Sequence, residues 1–188
     1  MEALNQRIII RTYQPEQVPE VSRELRSLYA DVYAEPPYYE AESDFINFSA
    51  RLNSDVHEPS FLMITAWCDD YLAGYLYGFA IDRESSLWAT VFLSPEPEQH
   101  VQDWTYPVAF VSELLVAAKY RHQGIARALH DRFLTARSEP KAVLLAHPDA
   151  TDAQTAYRHW GWHRVGTGRP FPSAPIYDTL AKDLPVGS

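Results

Sequence analysis

The sequence predicts a mixed α+β fold, with a sheet of about seven strands and about four helices on its faces. Three observations predict it. Strand-like apolar runs outnumber amphipathic helical stripes. Two neighbouring runs, SFLMITAWC and YLAGYLYGFAI, are separated by only Asp69-Asp70, which is hairpin spacing. The regular strand–helix alternation of a doubly wound parallel sheet is missing, and the order instead is β-α-α-β-β-β-α-β-α-β-β. A chain of 188 residues suits a single domain, 1–188, with a sizeable core.

Taken in order, Arg7 to Tyr13 alternates as a first strand. Pro15 and Pro19 open a helix in which Val18, Val21, Leu25, Leu28, Tyr29 and Val32 form one apolar stripe. Pro36 and Pro37 break it, because proline cannot continue a helix. Asp44 is placed to cap a second helix, with Phe45, Phe48 and Leu52 on one face. The hairpin follows, then a short apolar piece and a Pro-rich acidic loop over 83–104. YPVAFVSELLV is the next strand, and YRHQGIARAL leads a helix that runs to about Arg137 before Ser138-Glu139-Pro140 ends it. On this helix Ile125, Ala128, Leu129, Phe133 and Ala136 predict one buried stripe. KAVLLAHP is a strand; Asp152 starts a helix with Ala153, Ala156, Tyr157 and Trp160 on one face, and Gly161 stops it. WHRVG and APIYDTLAKDL close the chain as two strands.

Composition narrows the function. Sixteen Lys and Arg against 25 Asp and Glu give a net charge of −9, which repels phosphate backbones and argues against a nucleic-acid partner. The acidity suits a cationic small substrate and equally suits plain solubility. The single cysteine, Cys68, rules out a disulfide within the chain and leaves a cysteine-based zinc site short of ligands; its apolar run predicts a buried thiol. His147, His159 and His163 show no metal-ligand spacing. MEALNQRIIIRTYQ is too short an apolar stretch for a signal peptide or a membrane span, so no membrane partner and a cytoplasmic location are expected.

The decapeptide YRHQGIARAL carries the chemistry. A strand runs into a short loop and then a helix whose first amides have no intrahelical partner. The helix dipole adds partial positive charge there, so a phosphate or pyrophosphate can dock. Gly124 has no Cβ to hold an anion off the backbone, Ala126 keeps the next position low, and Arg121 and Arg127 can add charged hydrogen bonds. There is no GxxxxGK[ST] and no GxGxxG. On the decapeptide alone, an ordinary strand-to-helix turn stays open as an alternative.

With its neighbours the segment resembles the GNAT superfamily of acyl-CoA-dependent N-acyltransferases. Arg121-His122-Gln123-Gly124-Ile125-Ala126 matches that family's Q/R-x-x-G-x-G/A loop, after Glu113-Leu114-Leu115-Val116 and before a tyrosine near a Gly-aromatic pair, Tyr157 to Trp162. The close match covers 108–166; the first hundred residues match in pattern only. One position departs: Ala150 stands where many members carry an asparagine, leaving Thr151 or Asp152 to cap the helix.

The resemblance implies a sheet splayed between its fourth and fifth strands, with acetyl-CoA as cosubstrate and no metal. It implies pantetheine contacts along Leu114, Leu115 and Val116, an oxyanion facing a backbone amide near Leu115, and the pyrophosphate at Arg121, His122, Gln123, Gly124, Ile125, Ala126 and Arg127. The acceptor would be a small-molecule primary amine, with a protein amino group as the alternative and a homodimer left open. Glu113, the only ionisable group in PVAFVSELLVAA, is the candidate base, beside a purely structural reading of the same carboxylate. Tyr157 is the candidate acid for the thiolate, beside a core-tyrosine reading. Tyr33, Tyr38, Tyr39, Trp88 and Trp104 are candidates to wall the acceptor site, and Glu40, Glu42, Asp44, Glu96, Glu98 and Asp103 to attract a cation. A non-catalytic acyl-CoA-binding module is the rival reading.

Overall fold

The computed structural model describes residues 7–40, 42–172 and 174–185, with the backbone alone for 42–46. Its strands are β1 (Ile8–Tyr13), β2 (Leu62–Cys68), β3 (Tyr71–Ile81), β4 (Ser94–Pro95), β5 (Val108–Val116), β6 (Lys141–Ala146), β7 (His163–Gly168) and β8 (Tyr177–Asp183). Its α-helices are α1 (Ser22–Tyr33), α2 (Glu42–Asp55), α3 (Trp88–Val91), α4 (Ile125–Thr135) and α5 (Thr151–His159). The eight strands form one mixed, mostly antiparallel sheet in the order β1-β2-β3-β5-β6-β8-β7-β4. This is the expected α+β class, with one strand and one helix more than the sequence suggested. The additions, α3 and β4, are four and two residues long and lie in the segment expected to be loop. Elements that short carry no period to read.

The chain divides into two compact units, neither of them a continuous stretch. One holds the chain up to Gly78 together with Glu113–Ala136. Here β1, β2 and β3 are antiparallel, with Ile8 opposite Cys68 and Met63 opposite Tyr77. Cys68 is buried, as its apolar run predicted. The residues Pro15–Val21 form a 3-10 turn ahead of α1, since Pro19 has no amide to continue an α ladder. Every member of the expected stripe from Val18 to Val32 is buried. Tyr29 of α1 stacks on Phe48 of α2 with ring centroids 4.0 Å apart, which fastens the two helices by their aromatic faces. The expected cap Asp44, its neighbour Phe45 and the acidic Glu42 have side chains outside the described residues. Ile125, Leu129, His130 and Phe133 form the buried side of α4, whereas Ala128 and Ala136 are exposed. The buried stripe is narrower than the sequence predicts: a methyl adds little apolar area, so larger neighbours set the rotation.

The other unit holds Phe79–Ser112 and the chain from Arg137 onward. Here β5 pairs with β6 in parallel over Ala109–Val111, opposite Ala142–Leu144. β6 and β7 flank β8 antiparallel, and β4 pairs with β7. α5 ends in a Schellman turn. Gly161 takes φ +84°, its amide donates to the Arg158 carbonyl, and the Trp162 amide reaches back to Tyr157 O at 3.0 Å. At the other end Ala150 is the N-cap and makes no side-chain cap, and among the described residues no hydrogen bond from Thr151 or Asp152 supplies the expected one. The departure from asparagine therefore goes uncompensated at this position.

Candidate active site

In the first unit, two groups of side chains sit around the end of β5. The first is the loop into α4. β5 ends at Val116, a 3-10 turn spans Ala118–Tyr120, and α4 begins at Ile125. Gly124 is the N-cap, with φ +79° and ψ 0°, a left-handed conformation that costs most residues strain and costs glycine none. A Cβ built on it would meet nothing within 4 Å, so the space over this backbone is open. Gly124 has no side chain with which to cap the first turn of α4, whose leading amides lack intrahelical partners at the positive end of an eleven-residue dipole. Such a tip suits a diphosphate, and the sequence folds this way because glycine stands where both left-handed φ and open approach are needed.

The loop's side chains are partly committed. Arg121 donates to the Val116 carbonyl at 3.1 Å and pairs with Glu35 at 2.8 Å. Arg127 pairs with Asp131 one turn along α4, at 2.6 Å. His122 is exposed at φ +60°, and the Gln123 amide donates to Lys119 O at 3.1 Å. Ile125 is buried beneath the turn. Leu115 is buried as well, while Leu114, Val116 and Ala126 are half-buried.

The second group surrounds Glu113, which is 7% exposed. One carboxylate oxygen accepts from Arg51 of α2 at 2.8 Å, and the other accepts from the Tyr33 hydroxyl of α1 at 2.9 Å. Tyr29 donates to Glu40 at 2.7 Å, and Tyr77 donates to Asp55 at 3.2 Å. Tyr38 meets the Tyr33 ring edge-on at 4.6 Å. Burial pushes the Glu113 carboxyl up to about 7, against the opposing pull of Arg51 and Tyr33. Burial first, and the Glu113 charge second, push the Tyr38 phenol up to about 12. A carboxyl poised near neutrality in a cluster of aromatic rings can hold or release a proton at physiological pH.

Glu113, Tyr33, Tyr38 and Glu40, all candidates from the sequence, come together in this cluster. Arg51 and Tyr29 beside the carboxylate, and the Tyr77–Asp55 pair, are not foreseen from the sequence. Arg51 lies 62 positions from Glu113, so only the rule that buried charges are paired could have asked for such a partner, and that rule does not say which one.

Tyr157 belongs to the second unit. It is half-buried on α5, with its ring edge-on to Trp160 at 5.7 Å and against Trp162 at 5.9 Å. Two of the aromatics expected near an acceptor also pack inside this unit. Trp88 lies 4.0 Å from the Phe92 ring, and the Trp104 indole donates to Gln99 O. Glu96 is paired with Arg164. Among the described residues no group of three or more His, Cys, Asp or Glu is arranged to hold a metal. No helix among them is long and apolar enough to cross a membrane.

Comparison with known proteins gives consistent results. A family model described as acetyltransferase (GNAT) family matches residues 19–162. No curated protein sequence matches. Among solved structures, the chain is similar to the PaiA N-acetyltransferase of Thermoplasma acidophilum in complex with coenzyme A. Identity is 14%, coverage is 94% of this chain and 99% of the other, and the TM-score is 0.59. It is also similar to the ribosomal-protein-S18-alanine N-acetyltransferase of Escherichia coli, at 12% identity, 97% coverage of both chains and TM-score 0.60. A GNAT-family acetyltransferase of Streptococcus pneumoniae gives 13% identity, 95% and 99% coverage and TM-score 0.61. At these identities the likeness is one of fold.

Proposed function

Because the chain belongs to the GNAT acetyltransferase family, whose acyl donor is acetyl-CoA, we propose that it transfers an acetyl group from acetyl-CoA to a primary amine of a small molecule by direct attack. The observation that carries this reading is the open left-handed Gly124, the N-cap of α4, on a chain the family model matches.

When bound, acetyl-CoA supplies a thioester, an acyl group already activated toward an amine. Residues 121–127 would hold its diphosphate through backbone amides, with Arg121 and Arg127 adding charge at the rim. Arg121, paired with Glu35, would share its charge with that anion. The backbone of Leu114 to Val116 takes the pantetheine arm as an added strand would be taken. The β5–β6 ladder covers Ala109–Val111 and stops before these residues, which supports that use of the strand end.

Glu113 is the proposed base. An alkylamine is mostly protonated at pH 7, and freeing it costs about 4–5 kcal/mol at roughly 1.4 kcal/mol per pH unit. A carboxyl near 7 is ionised in part at neutral pH and can take that proton. Arg51 and Tyr33 fix its orientation, while the rings of Tyr29, Tyr33 and Tyr38 keep the surroundings dry and favour a cation. Tyr157 is the proposed acid that protonates the departing thiolate, its ring held by Trp160 and Trp162.

An acceptor on a protein is the second reading, favoured by one neighbour named for acetylating a ribosomal protein's alanine. The test is release of free CoA thiol from acetyl-CoA across a panel of small amines and peptides. Release with small amines supports the first reading, and release with peptides alone supports the second. CoA binding without release in any case leaves an acyl-CoA-binding module and removes the catalytic assignment.

A further inference from the structure

Arg51 and Glu113 form an ion pair whose two members differ in access to solvent. The Glu113 side chain is 6% exposed and the Arg51 side chain 28%. One nitrogen makes the pair: Nη2 of Arg51 donates to Glu113 at 2.8 Å and reaches the Tyr29 hydroxyl at 3.5 Å. Nε and Nη1 donate to none of the described residues. The neighbouring carboxylates take other donors, Glu40 the Tyr29 hydroxyl and Asp55 the Tyr77 hydroxyl. A guanidinium carries five N–H donors in a rigid fork, so most of this one stays on offer beside Glu113. Orienting that carboxylate takes a single contact, which a lysine would supply. A planar cation with further donors does more than the task asks.

The fork is also held in place. Its Cζ lies 5.8 Å from the centre of the Tyr29 ring and 5.7 Å from that of Phe48, and those two rings stack at 4.0 Å. Two aromatic rings and one carboxylate set the guanidinium before any ligand arrives, so little side-chain freedom is left to lose on binding. A plain alkylammonium is a poor match for such a pair, since Arg51 repels it as Glu113 attracts it. A molecule with an ammonium and a carboxylate on the same carbon matches both. Its ammonium meets Glu113, its carboxylate meets the fork, and each charge gains an opposite neighbour.

We propose that the acceptor is an α-amino acid, and that Arg51 is the specificity-determining residue that binds its carboxylate while its amine faces Glu113. The inference rests on the proposed acetyl transfer and narrows its small-molecule amine to one class. The step balances. The ammonium gives up two protons, one to Glu113 and one that ends on the departing sulfur. The C–N bond forms as the C–S bond breaks, and the products are an N-acetylamino acid and the free CoA thiol. The carboxylate of the acceptor makes and breaks no bond.

The experiment compares each of the common amino acids with its methyl ester and with the amine left by its decarboxylation. Release of CoA thiol is followed in wild type, Arg51→Lys and Arg51→Met. In wild type the best amino acid is expected to exceed both of its analogues by about tenfold or more in kcat/KM, mostly through KM, because the carboxylate contact is the same before and during reaction. Both variants are expected to lower that ratio, Arg51→Met to near one. Any harm to Glu113 falls on all three acceptors and cancels in the ratio, so its loss reports the carboxylate contact and not the fold. Equal turnover of the amino acid and its analogues in wild type overturns the proposal. So does release with peptides alone, and so does a ratio that either variant keeps. If wild type releases no CoA with any acceptor, the parent reading has failed separately. Calorimetric titration of the same amino acids and decarboxylated amines, at saturating coenzyme A, then decides the Arg51 site. Tighter binding of an amino acid that the variants lose upholds it, and equal or absent binding overturns it.

Discussion

Replacing Gly124 separates backbone strain from ligand exclusion, because Gly161 supplies a matched control. The two glycines hold nearly the same left-handed φ, +79° and +84°, at opposite ends of different helices. A side chain in that region costs about 1–2 kcal/mol, or roughly 2–8 °C of midpoint for a chain of this size. Neither site adds a hard clash. A Cβ at Gly124 meets nothing within 4 Å, and one at Gly161 meets only the flexible tip of Lys182 at 2.9 Å. Gly124→Ala and Gly161→Ala should therefore lose similar stability without ligand. They should part when coenzyme A is added. At a hundred times its dissociation constant the ligand adds about 2.7 kcal/mol, or roughly 5–11 °C. Differential scanning fluorimetry should show that shift intact in Gly161→Ala, reduced in Gly124→Ala and nearly gone in Gly124→Val, whose branched side chain fills the approach. An undiminished shift in Gly124→Val would refute the reasoning, since the anion would then be bound elsewhere.

Three further outcomes are expected. The raised pKa of Glu113 makes stability depend on pH: the folded state keeps a proton up to about 7 that the unfolded chain releases near about 4.3. The stability this proton confers is present below about 4.3 and lost as pH rises through about 7, on the order of 3 kcal/mol in all; urea titrations at pH 5 and 8 should show that fall in wild type and not in Glu113→Gln. Tyr157→Phe should lower kcat by about a hundredfold with its midpoint nearly unchanged, checked by thiol release under conditions where chemistry limits the rate. Phe133→Ala, which empties a fully buried site on α4, should cost about 3–5 kcal/mol by chemical denaturation.

Large periodic features were legible in the sequence and small or distant ones were not. The stripe from Val18 to Val32 could be read because each member is large and recurs at helical spacing, and Gly161 because a glycine after a helical run marks a left-handed cap. Ala128 and Ala136 were misplaced because alanine carries little information about which way a helix faces. The loop from Arg121 to Ala126 was legible because its chemistry is local: amides, one glycine and a helix start are contiguous in the chain. The Glu113 cluster was legible only at its centre. A lone carboxylate in an apolar strand announces that something must pair with it, but Arg51 and the hydroxyls of Tyr29, Tyr33 and Tyr77 reach that region through helix and sheet packing.

Acetyl transfer by this chain depends on the amides at the start of α4 gripping a diphosphate. The most direct measurement is a crystal structure grown with saturating coenzyme A. It should show the diphosphate within hydrogen-bond distance of backbone amides between Gln123 and Arg127, above the Gly124 backbone. Coenzyme A bound with its diphosphate away from that turn would contradict the central claim, and so would a turn left to solvent at saturation.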